Sequence, residues 1–233
     1  MKVNATIQAK IKGKQLELSH KKCFQMHVGK NLECCPSLGV CKKEMQTTSR
    51  ERYLGDILTS DTKIDSNITD RYNKGIGCAN QILSILKEIS FGQYYFEEAL
   101  QFRNAKLING MLCSIESIHG LTKSHVEQIE QCDRFLMRKM FNCVSSTAIE
   151  AYYLETNTLP LRFVIIARRL MFYWDILQKP ALELVNQVFK AQTLSPVRND
   201  WCLKVDEDLK YCNIELSESE ISFSFISFIK FNN

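Results

Sequence analysis

Ile64-Asp65-Ser66-Asn67-Ile68-Thr69-Asp70-Arg71-Tyr72-Asn73-Lys74-Gly75-Ile76-Gly77-Cys78-Ala79-Asn80-Gln81-Ile82-Leu83-Ser84-Ile85-Leu86 is where the chain changes its hydrophobic period. Ile64, Ile68, Tyr72, Ile76, Ala79, Leu83 and Leu86 recur at steps of three and four residues, one face of a long amphipathic helix. Gly75 and Gly77 are expected to loosen that helix, because glycine is a poor helix former.

Upstream of it the period is two. Val3, Ile7 and Ile11 first mark a short helical stripe ended by Gly13. Leu16 and Leu18 then alternate with polar residues, and residues 23–28 read as a strand closed by Gly29. Residues 38–45 read as another strand after the Cys34-Cys35-Pro36 turn, and residues 52–58 as a third. Three or four such strands make a small antiparallel patch that needs something to pack against.

Downstream the helical period persists. Phe96, Leu100, Arg103, Leu107 and Met111 mark a second helix. Ser124 and Glu127 form a capping-box pattern ahead of a third, carried by Val126, Ile129, Cys132, Leu136 and Met140. Thr158 and Pro160 open a fourth that runs through Arg168-Arg169 to Leu177, apolar on most sides and so expected to be buried. Pro180 breaks it, and shorter helices are expected at 181–192 and 199–212. The expected fold class is α+β, mostly α-helical, with a small antiparallel β patch at the N-terminus followed by a helical bundle. The divisions fall at 1–60, 61–145, 146–212 and 213–233. The last holds the uncharged, β-prone run Ile221-Ser222-Phe223-Ser224-Phe225-Ile226-Ser227-Phe228-Ile229 and is expected to be a poorly ordered tail.

A chain of 233 residues with 45% apolar and 24% charged residues has material for a real core and is not wholly disordered. Its longest run without a charge, residues 75–86, is twelve long, against about 20 for a membrane-crossing helix. The start lacks an apolar leader, so an intracellular place, nuclear or cytoplasmic, is expected. The ten cysteines are scattered through helical segments, which favours reduced, half-buried thiols over a disulfide framework. Net charge is +4, but residues 1–55 hold eleven Lys/Arg against four Asp/Glu. Such a concentration fits a polyanionic partner or a solvated basic surface.

Self-contained catalysis finds no support in motifs. The chain has no phosphate loop, nucleophile elbow or zinc-protease helix, and Gly75-Ile76-Gly77 lacks the third glycine of a dinucleotide fingerprint. Glu97-Glu98 and Asp206-Glu207-Asp208 are expected to face water, and no Asp-Asp pair occurs. Cys23, His27, Cys34, Cys35 and Cys41 offer zinc-type donors, but no C-x2-C pair exists among them. Half-buried thiols are the competing reading. Lys10, Lys12, Lys14, Lys21, Lys22, Lys30, Lys42, Lys43, Arg50 and Arg52 are interleaved with Phe24 and Tyr53. Cations on turns can meet phosphates while aromatics stack on bases. The alternative buries Phe24 and Tyr53 and leaves the lysines as solubilising surface. Spacing alone favours neither.

The run Leu18-Ser19-His20-Lys21-Lys22-Cys23-Phe24-Gln25-Met26-His27-Val28-Gly29-Lys30, followed by Arg52-Tyr53-Leu54-Gly55-Asp56-Ile57-Leu58, resembles the reverse transcriptases of non-LTR (LINE-type) retrotransposons. It is similar to the portion after the catalytic palm carboxylates. Asn104-Ala105-Lys106-Leu107-Ile108-Asn109-Gly110-Met111-Leu112, Leu154-Glu155-Thr156-Asn157-Thr158-Leu159-Pro160-Leu161-Arg162 and Arg168-Arg169-Leu170-Met171-Phe172-Tyr173-Trp174 are similar to the same elements. The resemblance spans residues 10 to 212.

Ser19 and Lys22 fall where the family usually has Asn-x-x-Lys, with serine in place of asparagine. The resemblance implies that Lys22 approaches the nucleotide phosphates and that Tyr53-Leu54-Gly55 is a primer-grip hairpin. It makes 1–60 a palm-end and primer-grip region, 61–145 thumb helices and 146–212 a helical extension. Lys30, Arg52, Arg71, Lys74, Arg103 and Lys106 are the further candidates for backbone phosphates. The family's paired aspartates have no counterpart in this sequence. The resemblance therefore implies weak, salt-sensitive binding of an RNA/DNA duplex without polymerisation, and no magnesium held by this chain alone. Two rival readings remain: a helical protein–protein interaction module with no nucleic-acid role, and a small zinc-organised module over 23–41.

Overall fold

The computed structural model describes residues 23–28, 39–40, 43–53, 56–88, 96–144, 146–194 and 200–214. The expected N-terminal stripe of Val3, Ile7 and Ile11 and the tail beyond Ile214 lie outside the described residues. The fold is α+β and mostly helical, with short strands ahead of packed helices. The chain divides into two compact units, Met1–Asn67 and Ile68–Asn233, so the helices on either side of residue 145 belong to one unit.

In the first unit, the described strands form three two-stranded pairs. β1 (Phe24–Gln25) runs parallel to β4 (Gln46–Thr47), while β2 (Gly39–Val40) and β3 (Lys43–Glu44) are antiparallel. β5 (Arg50–Tyr53) and β6 (Asp56–Thr59) form the longest antiparallel pair, with Arg52 opposite Ile57 and Tyr53 opposite Asp56. Two of the three pairs are antiparallel, as the small antiparallel patch expected from sequence has them, while β1–β4 is parallel. The run 38–45 doubles back on itself, and residues 23–28 ladder over only two positions. Hairpins this short hold few cross-strand side-chain pairs, the unit of sheet stability. Within this unit Asn67 Nδ2 donates to Asp56 Oδ1, at the start of β6, at 3.2 Å; Asn67 lies in the first turn of the helix that follows.

That helix, α1 (Asp65–Glu88), runs through both glycines without a break. Its buried line is Ile68, Arg71, Gly75, Ala79, Ile82 and Leu86, with Tyr72, Ile76 and Leu83 flanking it half-buried. Gly75 is on the line because two neighbours come too close for a side chain. A Cβ there would stand 2.6 Å from Met111 Sδ and 2.9 Å from Cys132 Sγ, whereas one at Gly77 would meet nothing within 4 Å. Gly75→Ala is therefore expected to lose about 1–3 kcal/mol to overpacking. Gly77→Ala should gain about 0.5–1 kcal/mol from helix propensity. Urea unfolding of the two variants, read side by side, checks the opposite signs.

The second helix is not uniform. α2 (Phe96–Phe102) gives way to a π-helical segment (Arg103–Ile108) and then α3 (Asn109–Met111). The wider turn buries Arg103, Leu107 and Ile108 together. A 3-10 turn (Ile115–Ser117) precedes α4 (Lys123–Met140). Its N-terminus corrects the expected cap: Thr122 Oγ1 accepts from the His125 N–H and the Thr122 N–H donates to His125 Nδ1, both at 3.3 Å. A ring nitrogen does the work usually given to glutamate in this motif. α5 (Ile149–Glu155), α6 (Leu161–Gln178), α7 (Leu184–Leu194) and α8 (Trp201–Tyr211) follow among the described residues. α6 is less buried than its composition implied, with Leu161, Ile165, Arg169, Leu170 and Ile176 enclosed. Leu170 and Ile176 join Trp201, Val205 and Leu209 of α8 in an apolar cluster.

Candidate nucleic-acid interface

The residues expected to meet phosphate separate into groups with different surroundings. Lys22, Lys30 and Gly55 lie outside the described residues. In the first unit, Arg52 and Tyr53 are both exposed on β5, Tyr53 to 62%. Phe24 on β1 is 38% exposed. Neither aromatic is a core residue, so the part of the alternative that buried them is corrected.

In the second unit, Lys74 projects from α1 and pairs with Asp70 at 2.9 Å. An exposed pair at this helical spacing is a weak, salt-screened contact that a phosphate can displace. Lys106 is exposed on the π-helical segment.

Arg71 and Arg103 are corrected, because neither presents its guanidinium to a ligand. Arg71 is 4% exposed and donates through Nη1 to the Met111 carbonyl at 2.7 Å. Arg103 is 1% exposed and faces Asp133 in a two-pronged pair, Nε to Oδ1 at 2.6 Å and Nη2 to Oδ2 at 2.7 Å. Tyr153 donates its hydroxyl to the same Asp133 Oδ2 at 3.0 Å. Burial, followed by the Asp133 carboxylate, pushes the Tyr153 phenol far up. The same two causes raise the Cys132 thiol to about 12, so it stays protonated.

Several more arginines join one helix to another. The Glu130 carboxylate, on α4, sits at the start of α6. Its Oε1 accepts the Arg162 backbone N–H at 2.9 Å, and the Arg162 guanidinium grips both of its oxygens. A carboxylate at a helix N-terminus satisfies an otherwise orphaned N–H and favours the local dipole. Arg168 donates to the Leu112 carbonyl at 2.9 Å and to Asn109 Oδ1 at 2.8 Å. Arg169 pairs with Asp208 of α8 at 2.5 Å. Arg162, Arg168 and Arg169 stand in the strings quoted for the family resemblance, and here they hold helices together. No family model matches the sequence, and no curated protein or solved structure matches it either.

In the acidic runs of the sequence, Glu97, Glu98, Asp206 and Glu207 are exposed, while Asp208 is turned onto Arg169. Among the described residues no group of three His, Cys, Asp or Glu could hold a metal ion. Of the zinc-type donors, Cys34, Cys35 and Cys41 lie outside the described residues. No described helix is long and apolar enough to cross a membrane.

Proposed function

We propose that the chain binds the sugar–phosphate backbone of a nucleic acid, as a remnant or fragment of a retrotransposon reverse transcriptase that does not itself polymerise. The observation that supports this most is the exposure of both Arg52 and Tyr53, successive residues of β5 whose side chains leave opposite faces of the β5–β6 hairpin. An aromatic left in water offers a base a stacking surface, and an exposed cation on the same short hairpin offers a phosphate a contact. The basic first quarter, with eleven cations against four anions, supplies the field that draws a polyanion in. The missing aromatic-x-Asp-Asp turn argues against phosphoryl transfer by these residues.

The test uses a labelled RNA–DNA primer–template and fluorescence anisotropy. Arg52→Gln/Tyr53→Ala is expected to weaken binding by about tenfold, from one stacked aromatic and one phosphate contact. Both side chains are exposed, so thermal stability should change little. An unchanged affinity would remove the hairpin from the interface.

Exposed leucines on and before α7 favour a second reading, an interaction module: Leu182 is 88% exposed, Leu184 76% and Leu194 87%. Concentration-dependent assembly together with no affinity for duplex would favour it over the first.

A further inference from the structure

Arg138 and Lys139 stand in the last turn of α4, and Arg138 differs from the arginines that hold the helices of this unit together. Arg71, Arg103, Arg162, Arg168 and Arg169 all donate to acceptors within the protein, and Arg134 reaches Glu127 and Glu130. Among the described residues Arg138 has no side-chain acceptor, and its Nε is shut off from water as well. The Nε of Arg134 and Arg169 is enclosed in the same way, so what sets Arg138 apart is its two Nη groups, which have no acceptor and are not enclosed. Both cations line a cleft of about 470 Å³ with Gln131, Arg134, Phe135 and Asn142. Helix-dipole complementation explains why cations sit here. It does not use the side-chain donors, because the α4 C-terminal carbonyls of Met137, Arg138 and Lys139 already accept backbone N–H groups of residues 141–143. What remains is a concave site with guanidinium, ammonium and amide donors, a half-buried aromatic and no carboxylate in its lining.

We infer that this cleft seats a phosphodiester group of a bound nucleic-acid strand, with Arg138 and Lys139 as the charged contacts and Gln131 and Asn142 as neutral donors. The inference rests on the nucleic-acid reading above and gives it a place in the helical unit that the sequence did not indicate. An arginine fork suits a phosphate's paired oxygens, and the adjacent ammonium adds charge without demanding geometry.

The experiment compares three full-length chains on the RNA–DNA duplex at about 50 mM salt: the unaltered chain, Arg138→Gln/Lys139→Gln, and Lys179→Gln/Lys190→Gln. The last pair is exposed and outside the cleft. The cleft variant is expected to lose about tenfold or more in affinity, and its log K against log salt should flatten by about 1 to 2. The control variant should stay within about twofold. Equal losses in both variants would overturn the cleft assignment while leaving nucleic-acid binding standing, whereas no binding by the unaltered folded chain would overturn both. Should the cleft variant misfold, phenylglyoxal modification of the unaltered chain decides the matter. Protection of Arg138 by duplex supports the seat, and equal modification with and without duplex overturns it. Protection by polyglutamate as strong as by duplex would assign the cleft to an acidic protein instead.

Discussion

Arg103→Met is expected to destabilise the helical unit by about 3–5 kcal/mol, with the loss read by urea unfolding. The substitution keeps much of the side-chain volume but removes both donors facing Asp133. That carboxylate is fully enclosed, and only the Tyr153 hydroxyl would remain on it. A buried charge stripped of its partner cannot be rehydrated without opening the core, so the penalty exceeds the worth of an ordinary hydrogen bond. Arg103→Met/Asp133→Leu should recover most of the loss, because the pair is then replaced by apolar packing. A single variant that folds normally and only loses duplex affinity would restore Arg103 to the binding surface.

Arg169→Met is expected to cost a similar amount, about 3–5 kcal/mol near neutral pH, with a pH dependence of its own. Asp208 is 4% exposed and paired with Arg169 across α6 and α8. Burial pushes its carboxyl up, and the guanidinium opposes that rise. A folded pKa above the unfolded value, about 3.9, means the folded chain holds the proton longer. Stability tied to Asp208 is then fully present below the unfolded pKa and lost as pH rises through the folded one. Without Arg169 the folded value moves higher still. The variant should be close to the unaltered chain near pH 4 and fall progressively behind it toward pH 7. Unfolding midpoints across that range check the sign, and a deficit that grows on acidification would contradict it.

The helices were legible because their apolar spacing is governed by local geometry. α1, α4, α6, α7 and α8 fall where period and punctuation place them. The partners of buried charges were not. Arg103 stands on the apolar stripe with Leu107 and Met111, Asp133 follows Cys132, and Asp208 lies between Val205 and Leu209. A charge at a core register is itself a sign of burial with a partner, and that signal was available for Arg103. Which anion meets which cation depends on helix packing between residues 30 or more apart, which periodicity does not encode. The π-helical turn was equally hidden, because Phe96, Leu100, Arg103, Leu107 and Met111 fit a regular helix as well. In the first unit, short runs of mixed character left strand pairing undetermined, and one pair is parallel. The exposure of Tyr53, on which the functional reading leans, is a tertiary property that spacing could not supply.

The central claim, backbone binding by exposed cations, is tested most directly by titrating the unaltered chain into an RNA–DNA primer–template at about 50 and about 200 mM salt. The account predicts measurable affinity at the lower salt that falls by about a hundredfold at the higher, the slope of roughly four phosphate contacts. A protein shown to be folded that binds no duplex at the lower salt, or binds it with the same affinity at both, would contradict it.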